Sequence, residues 1–220
     1  MENLWFQPLI WIDYRLAIIY AITIPAILTI LAFLQRIDSI GRLLVIYWRV
    51  SSLLLITIYL LIPGWNGGNG SFEILCTHLG FITAILARIL IPISLWFWID
   101  LNDEIKDLSW SFLKLVLVSW RWSVTAYSAI GIILRIPFFS CLIYAKALGT
   151  SSCQAWIAAP VKYWLIFHNN ATPVFLGFIG LVGLSIYAAY FIYFVLVRLS
   201  KQGRLACLLY TSPSPRDCRL

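Results

Sequence analysis

Residues 16–34 and 174–197 contain no Asp, Glu, Lys, Arg or His. As an α-helix, each run is long enough to cross a hydrocarbon layer about 30 Å thick, which takes about 20 apolar residues. In such a layer a helix satisfies every backbone N–H and C=O internally, so it is the form these runs must take. The rest of the chain has the same character. Of its 220 residues 62% are hydrophobic and only 11% are charged, and the mean hydropathy is +0.90. A soluble domain carries about a quarter charged residues, so a soluble enzyme, a coiled coil and a disordered chain are excluded. The sequence predicts an all-α, polytopic membrane helix bundle of about five transmembrane helices plus an interfacial outer helix.

The predicted spans are residues 16–34, 43–62, 74–99, 115–134 and 174–197, within one membrane domain over residues 1–205. Pro25 interrupts the first, which a membrane helix tolerates. A Pro-Gly-Asn turn at residues 63–70 separates the second from the third. Residues 136–172, broken by Gly149 and Pro160, predict one or two short helices on the outer surface, with a re-entrant pass as the rival. Glu2 and Asp13 precede a first apolar run too long for a cleavable signal. Trp5, Phe6, Trp11 and Tyr14 read as a headgroup-level aromatic anchor.

Orientation follows from Lys and Arg. Five spans put Arg36, Arg42, Lys106, Lys114, Arg198, Lys201 and Arg204 on one side, and Arg15, Arg135, Lys146 and Lys162 on the other. The expected arrangement has the N-terminus outside or luminal and the C-terminus cytoplasmic. The basic excess, 16 Lys and Arg against 9 Asp and Glu, then reflects loop asymmetry and anionic lipid; nucleic acid is not an expected partner. The expected partners are the bilayer and anionic lipids, with a membrane protein complex or a homo-oligomer also open.

Three arginines inside spans, Arg49, Arg88 and Arg121, are the most informative residues, because each is costly at a helix centre and needs a partner or a route to the headgroups. Trp48-Arg49-Val50-Ser51 and Trp120-Arg121-Trp122-Ser123 place Trp, Arg and Ser at one expected depth near the inner face. Arg88 is expected mid-membrane, facing the bundle. No carboxylate falls within the predicted spans, so Asp100 is the nearest candidate partner, beside carbonyls, lipid phosphate or an acidic ligand. Snorkelling, an intramembrane polar cluster with Ser51 and Ser123, and a ligand site all remain open. Gly177, Gly180 and Gly183 form a small-residue stripe for helix packing. Cys141 and Cys153 share the outer loop, where a disulfide is possible. His78 is a weak candidate cofactor ligand, and no metal or cofactor motif is present. No catalytic constellation appears either, which favours a non-enzymatic role. The expected function is a structural or assembly factor, the alternatives being a small transporter or channel subunit handling an anion, or a pigment- or haem-binding protein.

Residues 11–17 (WIDYRLA), 47–53 (YWRVSSL), 86–98 (LARILIPISLWFW), 119–122 (SWRW) and 198–204 (RLSKQGR) together resemble an uncharacterised cyanobacterial multi-pass integral membrane protein family, a domain of unknown function. The resemblance covers most of residues 4–205. It implies a photosynthetic bacterial source and a plasma or thylakoid membrane location, and it transfers no activity. Residues 207–220 switch abruptly to Ser, Pro, Arg and Asp and resemble sequencing-adapter read-through. They are expected to be a non-native or disordered tail, with the natural C-terminus following a different course after about Arg204.

Overall fold

A computed structural model describes residues 6–67 and 70–206. The residue 207–220 tail lies outside the described residues. Among them there is no strand, and five helices are long and apolar enough to cross a membrane. These are α1 (Gln7–Leu34), α2 (Asp38–Leu61, prolonged by the 3₁₀ segment Ile62–Gly67), α3 (Ser71–Trp96), α5 (Phe112–Ile133) and α7 (Pro173–Leu199). A short helix, α4 (Ile99–Asp107), joins α3 to α5 at one end of the bundle. At the other end, three short turns between α5 and α7 lead into α6 (Ser151–Phe167).

Helix starts follow local chemistry. Ser111, Thr150 and Thr172 each accept a hydrogen bond from the backbone N–H three residues on, capping α5, α6 and α7. Glu73 in the first turn of α3 accepts from the Gly70 N–H and complements the helix dipole. The first helix begins at Gln7, with Pro8 in its first turn, rather than at residue 16. Of the aromatic residues expected to anchor at the headgroups, Phe6 is the N-cap residue and Trp11 and Tyr14 lie in the first turns of a helix that includes Asp13 and Arg15, while Trp5 lies outside the described residues.

Pro25 explains the middle of α1. Proline has no N–H to donate, and the helix widens to π geometry over Ile18–Thr23 just before it. The Ala21 carbonyl, four residues before the proline, instead accepts from the Tyr47 hydroxyl at 2.9 Å, and the Tyr20 carbonyl, five before it, accepts from the Trp120 indole at 2.9 Å. Tyr47 and Trp120 also meet edge to face at 5.0 Å. One backbone defect thus ties α1 to both α2 and α5. Tyr47 is fully buried, so Tyr47→Phe should leave a carbonyl unpaired and destabilise the protein by about 1–3 kcal/mol, measurable by denaturation in detergent.

The core divides in two. One cluster, at the α4 end, holds Leu28, Tyr47, Leu95, Leu117 and Trp120. The other, at the α6 end, holds Ile10, Leu61, Phe81, Trp156 and Ile157, closed by the Cys141–Cys153 disulfide. Outward-facing side chains such as Ile30, Phe33, Trp122, Ile186 and Leu196 are large, apolar and exposed, the surface a lipid solvent accepts. Glycines set the seat of α7 on α2. A Cβ on Gly177 would lie 2.5 Å from the Pro63 side chain, one on Gly180 3.1 Å from Leu60, and one on Gly183 3.3 Å from Ile56.

Candidate functional site

The most concentrated chemistry sits where α1, α3 and α5 meet beneath α6. Asp13, in the early turns of α1, is 5% exposed and Arg88 of α3 is 5% exposed. Arg88 Nη2 donates to Asp13 Oδ1 at 2.7 Å and Oδ2 at 2.5 Å, and also to the Tyr127 hydroxyl at 3.0 Å. Tyr127 in turn donates to the Asp13 backbone carbonyl at 2.8 Å. A second guanidinium, Arg135, lies just beyond α5 and reaches Asp13 Oδ2 at 3.6 Å. It stacks on Trp156 of α6 at 4.5 Å, while the Tyr14 hydroxyl donates to the Trp156 carbonyl at 2.8 Å. Four helices are pinned through one carboxylate.

The charge count at this node is unbalanced: two guanidinium groups face one carboxylate. Arg88 Nη1 and Arg135 Nη1 are buried with no hydrogen-bond partner among the described residues. Burial, reinforced by the Arg88 charge, lowers the Arg135 pKa to about 10, so the group remains a cation at neutral pH. Space for Arg88 comes from Gly131. A Cβ there would stand 1.8 Å from Arg88 Nη1 and 2.5 Å from Cζ. A groove of about 450 Å³ runs beside the node and is lined by Asp13, Tyr127, Ser123 and apolar residues of α1 and α5.

Arg121 is engaged elsewhere through Nη2, while its Nε is buried without a hydrogen-bond partner among the described residues. The residue is 3% exposed, and its Nη2 donates to the Leu95 carbonyl at 2.5 Å and to Asn102 Oδ1 at 2.6 Å. Its plane stacks on Trp96 at 4.0 Å, and Asn102 donates back to the Trp96 carbonyl at 3.0 Å. The guanidinium thus supplies donors to the unpaired carbonyl end of α3. Arg49 is different: it is exposed and donates to the Tyr190 hydroxyl of α7 at 3.3 Å.

The structure therefore separates what the paired Trp-Arg-Ser strings suggest as one cluster. Arg49 faces α7 and Arg121 faces the α3 end, because the two helices turn different sides to their neighbours. Asp100 partners none of the three arginines; its carboxylate accepts from the Ala206 N–H at 2.9 and 3.0 Å. Ser51 donates to the Trp48 carbonyl of its own helix. The premise that no carboxylate lies within the apolar helices also fails, since α1 begins early enough to carry Asp13 inside. His78 keeps its Nε2 buried without a partner among the described residues, and Gly177, Gly180 and Gly183 meet α2 of the same chain.

The two arginine settings, one buried and one exposed, predict different tolerances. Arg121→Lys loses the planar stack and one of two acceptors, and should destabilise the protein by about 1–3 kcal/mol. Arg49→Lys keeps a long cationic side chain at an exposed position and should leave the unfolding midpoint nearly unchanged. Equal sensitivity at both positions would contradict the separation described above.

Compared with known families, residues 7–207 match the family described as Protein of unknown function (DUF3177). The chain belongs to this family. The match takes in all five membrane-length helices, the Asp13–Arg88–Arg135 node and the Arg121 brace. No curated protein and no solved structure matches the chain. The five membrane-length helices of this DUF3177 member fit an integral membrane protein.

Proposed function

We propose that this DUF3177 protein is a non-enzymatic structural or assembly factor of a cyanobacterial plasma or thylakoid membrane. The observation that carries the reading is the use made of the buried arginines. Arg88 and Arg121 bond a carboxylate, a phenol, an amide and a carbonyl of the same chain, as braces between helices do. Almost none of the apolar stretch of α7 is buried within the chain, which leaves a long apolar flank for lipid or a neighbouring protein. The proposed orientation, with α6 and the N-terminus outside and α4 and the C-terminus in the cytoplasm, draws support from the basic-residue asymmetry. It draws further support from Cys141–Cys153, a disulfide suited to an oxidising compartment.

A second reading, anion handling, is favoured by the surplus guanidinium at the Asp13 node and the groove beside it. Halide flux into liposomes holding the purified protein discriminates the two. The assembly reading expects flux equal to that of protein-free liposomes. Flux that disappears in Arg88→Met would overturn it. A photo-crosslinking residue at Ile186 should also give a discrete protein adduct in native membranes, whereas adducts with lipid alone would count against an assembly role. For orientation, cysteines replacing Ser71 and Asp103 should label from outside and from inside respectively.

A further inference from the structure

A groove of about 180 Å³ opens between α7 and the α2–α3 pair, and its origin is legible in one stripe of α7. Gly177, Gly180 and Gly183 let α7 sit directly on α2, with would-be Cβ contacts of 2.5, 3.1 and 3.3 Å widening along the helix. The same face continues with Tyr187, Tyr190 and Phe194, all of which line the groove. Glycines hold the helices together at the α6 end, and bulky aromatics hold them apart toward the α4 end. The result is a wedge, narrow at Gly183 and bounded toward the α4 end by the Trp98–Phe194 ring contact at 5.9 Å and the Arg204 Nε to Phe97 carbonyl hydrogen bond at 3.0 Å.

The lining is apolar except for a set of donors. Arg49 and Arg198 line it, and among the described residues no carboxylate does; Arg198 Nη2 also donates to the Ala206 carbonyl at 3.3 Å. Arg49 has five N–H donors, and among the described residues one is committed, to Tyr190. Trp98 also lines the groove, is 4% exposed, and has its indole N–H buried without an acceptor among the described residues. An apolar trough with two cations suits a molecule that is hydrocarbon over most of its length and acceptor-rich and anionic at one end. We infer that this wedge is a binding site for one anionic phospholipid of the adjoining leaflet, an acyl chain lying against Leu90, Ile93 and Tyr187 and the headgroup held by Arg49 and Arg198. The inference is independent of the assembly reading and of which membrane face is cytoplasmic.

Native mass spectrometry of the full-length protein in neutral detergent tests it, with phosphatidylglycerol and phosphatidylcholine of identical chains as probes. Two arginines near the surface predict about a tenfold or greater preference for phosphatidylglycerol at one tight site. Arg49→Gln/Arg198→Gln should bring the two lipids to parity, while Arg49→Lys/Arg198→Lys retains the preference. Ser94→Trp, which fills the groove and leaves both arginines in place, should abolish the tight site. Excess inorganic phosphate should not displace the lipid. Equal retention of both lipids in the wild type would overturn the proposal. So would an unchanged preference in the double Gln variant or in Ser94→Trp, or displacement by free phosphate, which would mark a simple anion site.

Discussion

Asp13→Ala should be among the most damaging single substitutions in this protein, costing about 3–5 kcal/mol. One carboxylate, 5% exposed, is the anionic partner of both Arg88, at 2.5 Å, and Arg135, at 3.6 Å. Removing it strands two buried cations, whereas Arg88→Met removes one cation and leaves Asp13 and Arg135 as a matched pair. Arg88→Met should therefore cost less, about 1–3 kcal/mol, mainly through the Tyr127 and Asp13 oxygens it deprives of a donor. The ordering is the sharp part of the expectation. Unfolding of the two variants in a mixed-detergent titration measures it, and a cost for Arg88→Met at or above that of Asp13→Ala would show that the carboxylate does not serve both arginines.

Gly131→Ala should behave as an indirect Arg88 mutation. The added methyl would lie 1.8 Å from Arg88 Nη1, so either the guanidinium or the helix must move. The end of an arginine can usually swing aside, but this one is held by three hydrogen bonds from Nη2 to Asp13 and Tyr127. Swinging it out surrenders those bonds, at a cost of about 1–3 kcal/mol. Because the damage passes through Arg88, it should shrink sharply in an Arg88→Met background. A double-mutant cycle reads this as a coupling of about 1 kcal/mol or more. Additive costs would mean that Gly131 matters for helix packing and has no role in seating the guanidinium.

Neither substitution suggests itself from sequence. Asp13 lies upstream of the charge-free run, where a carboxylate ordinarily means solvent, and the predicted span accordingly begins at residue 16. One signal was available. Ile10, Asp13, Ala21, Pro25, Leu28 and Ala32 are all buried and fall on one helical stripe, and Pro8 stands where helices start. Extending that stripe upstream puts Asp13 on the inward face. Gly131 offers no such signal, since nothing near it in the chain distinguishes a glycine that seats a distant arginine from one that merely packs.

The all-helical membrane class, five helices long and apolar enough to cross, and a further helix between the last two were legible because they depend on quantities local to the chain: run length, charge-free stretches, turn residues and caps. A bilayer turns these into structure almost without reference to the rest of the protein, since each apolar run must become a helix by itself. Which arginine meets which partner depends instead on helix rotation and tilt, which only packing sets. The likeness of Trp48-Arg49 to Trp120-Arg121 says that both are amphipathic points on helices; it does not say that one will face α7 and the other cap α3. Likewise, Pro25 announces a broken helical ladder, while the choice of Tyr47 and Trp120 as replacement donors follows from three helices meeting at one level. Sequence determined the number and kind of membrane-length helices because backbone hydrogen bonding in hydrocarbon is a local demand. The tertiary structure alone decided the Asp13–Arg88–Arg135 node, because it joins residues far apart in the chain whose pairing no local rule encodes.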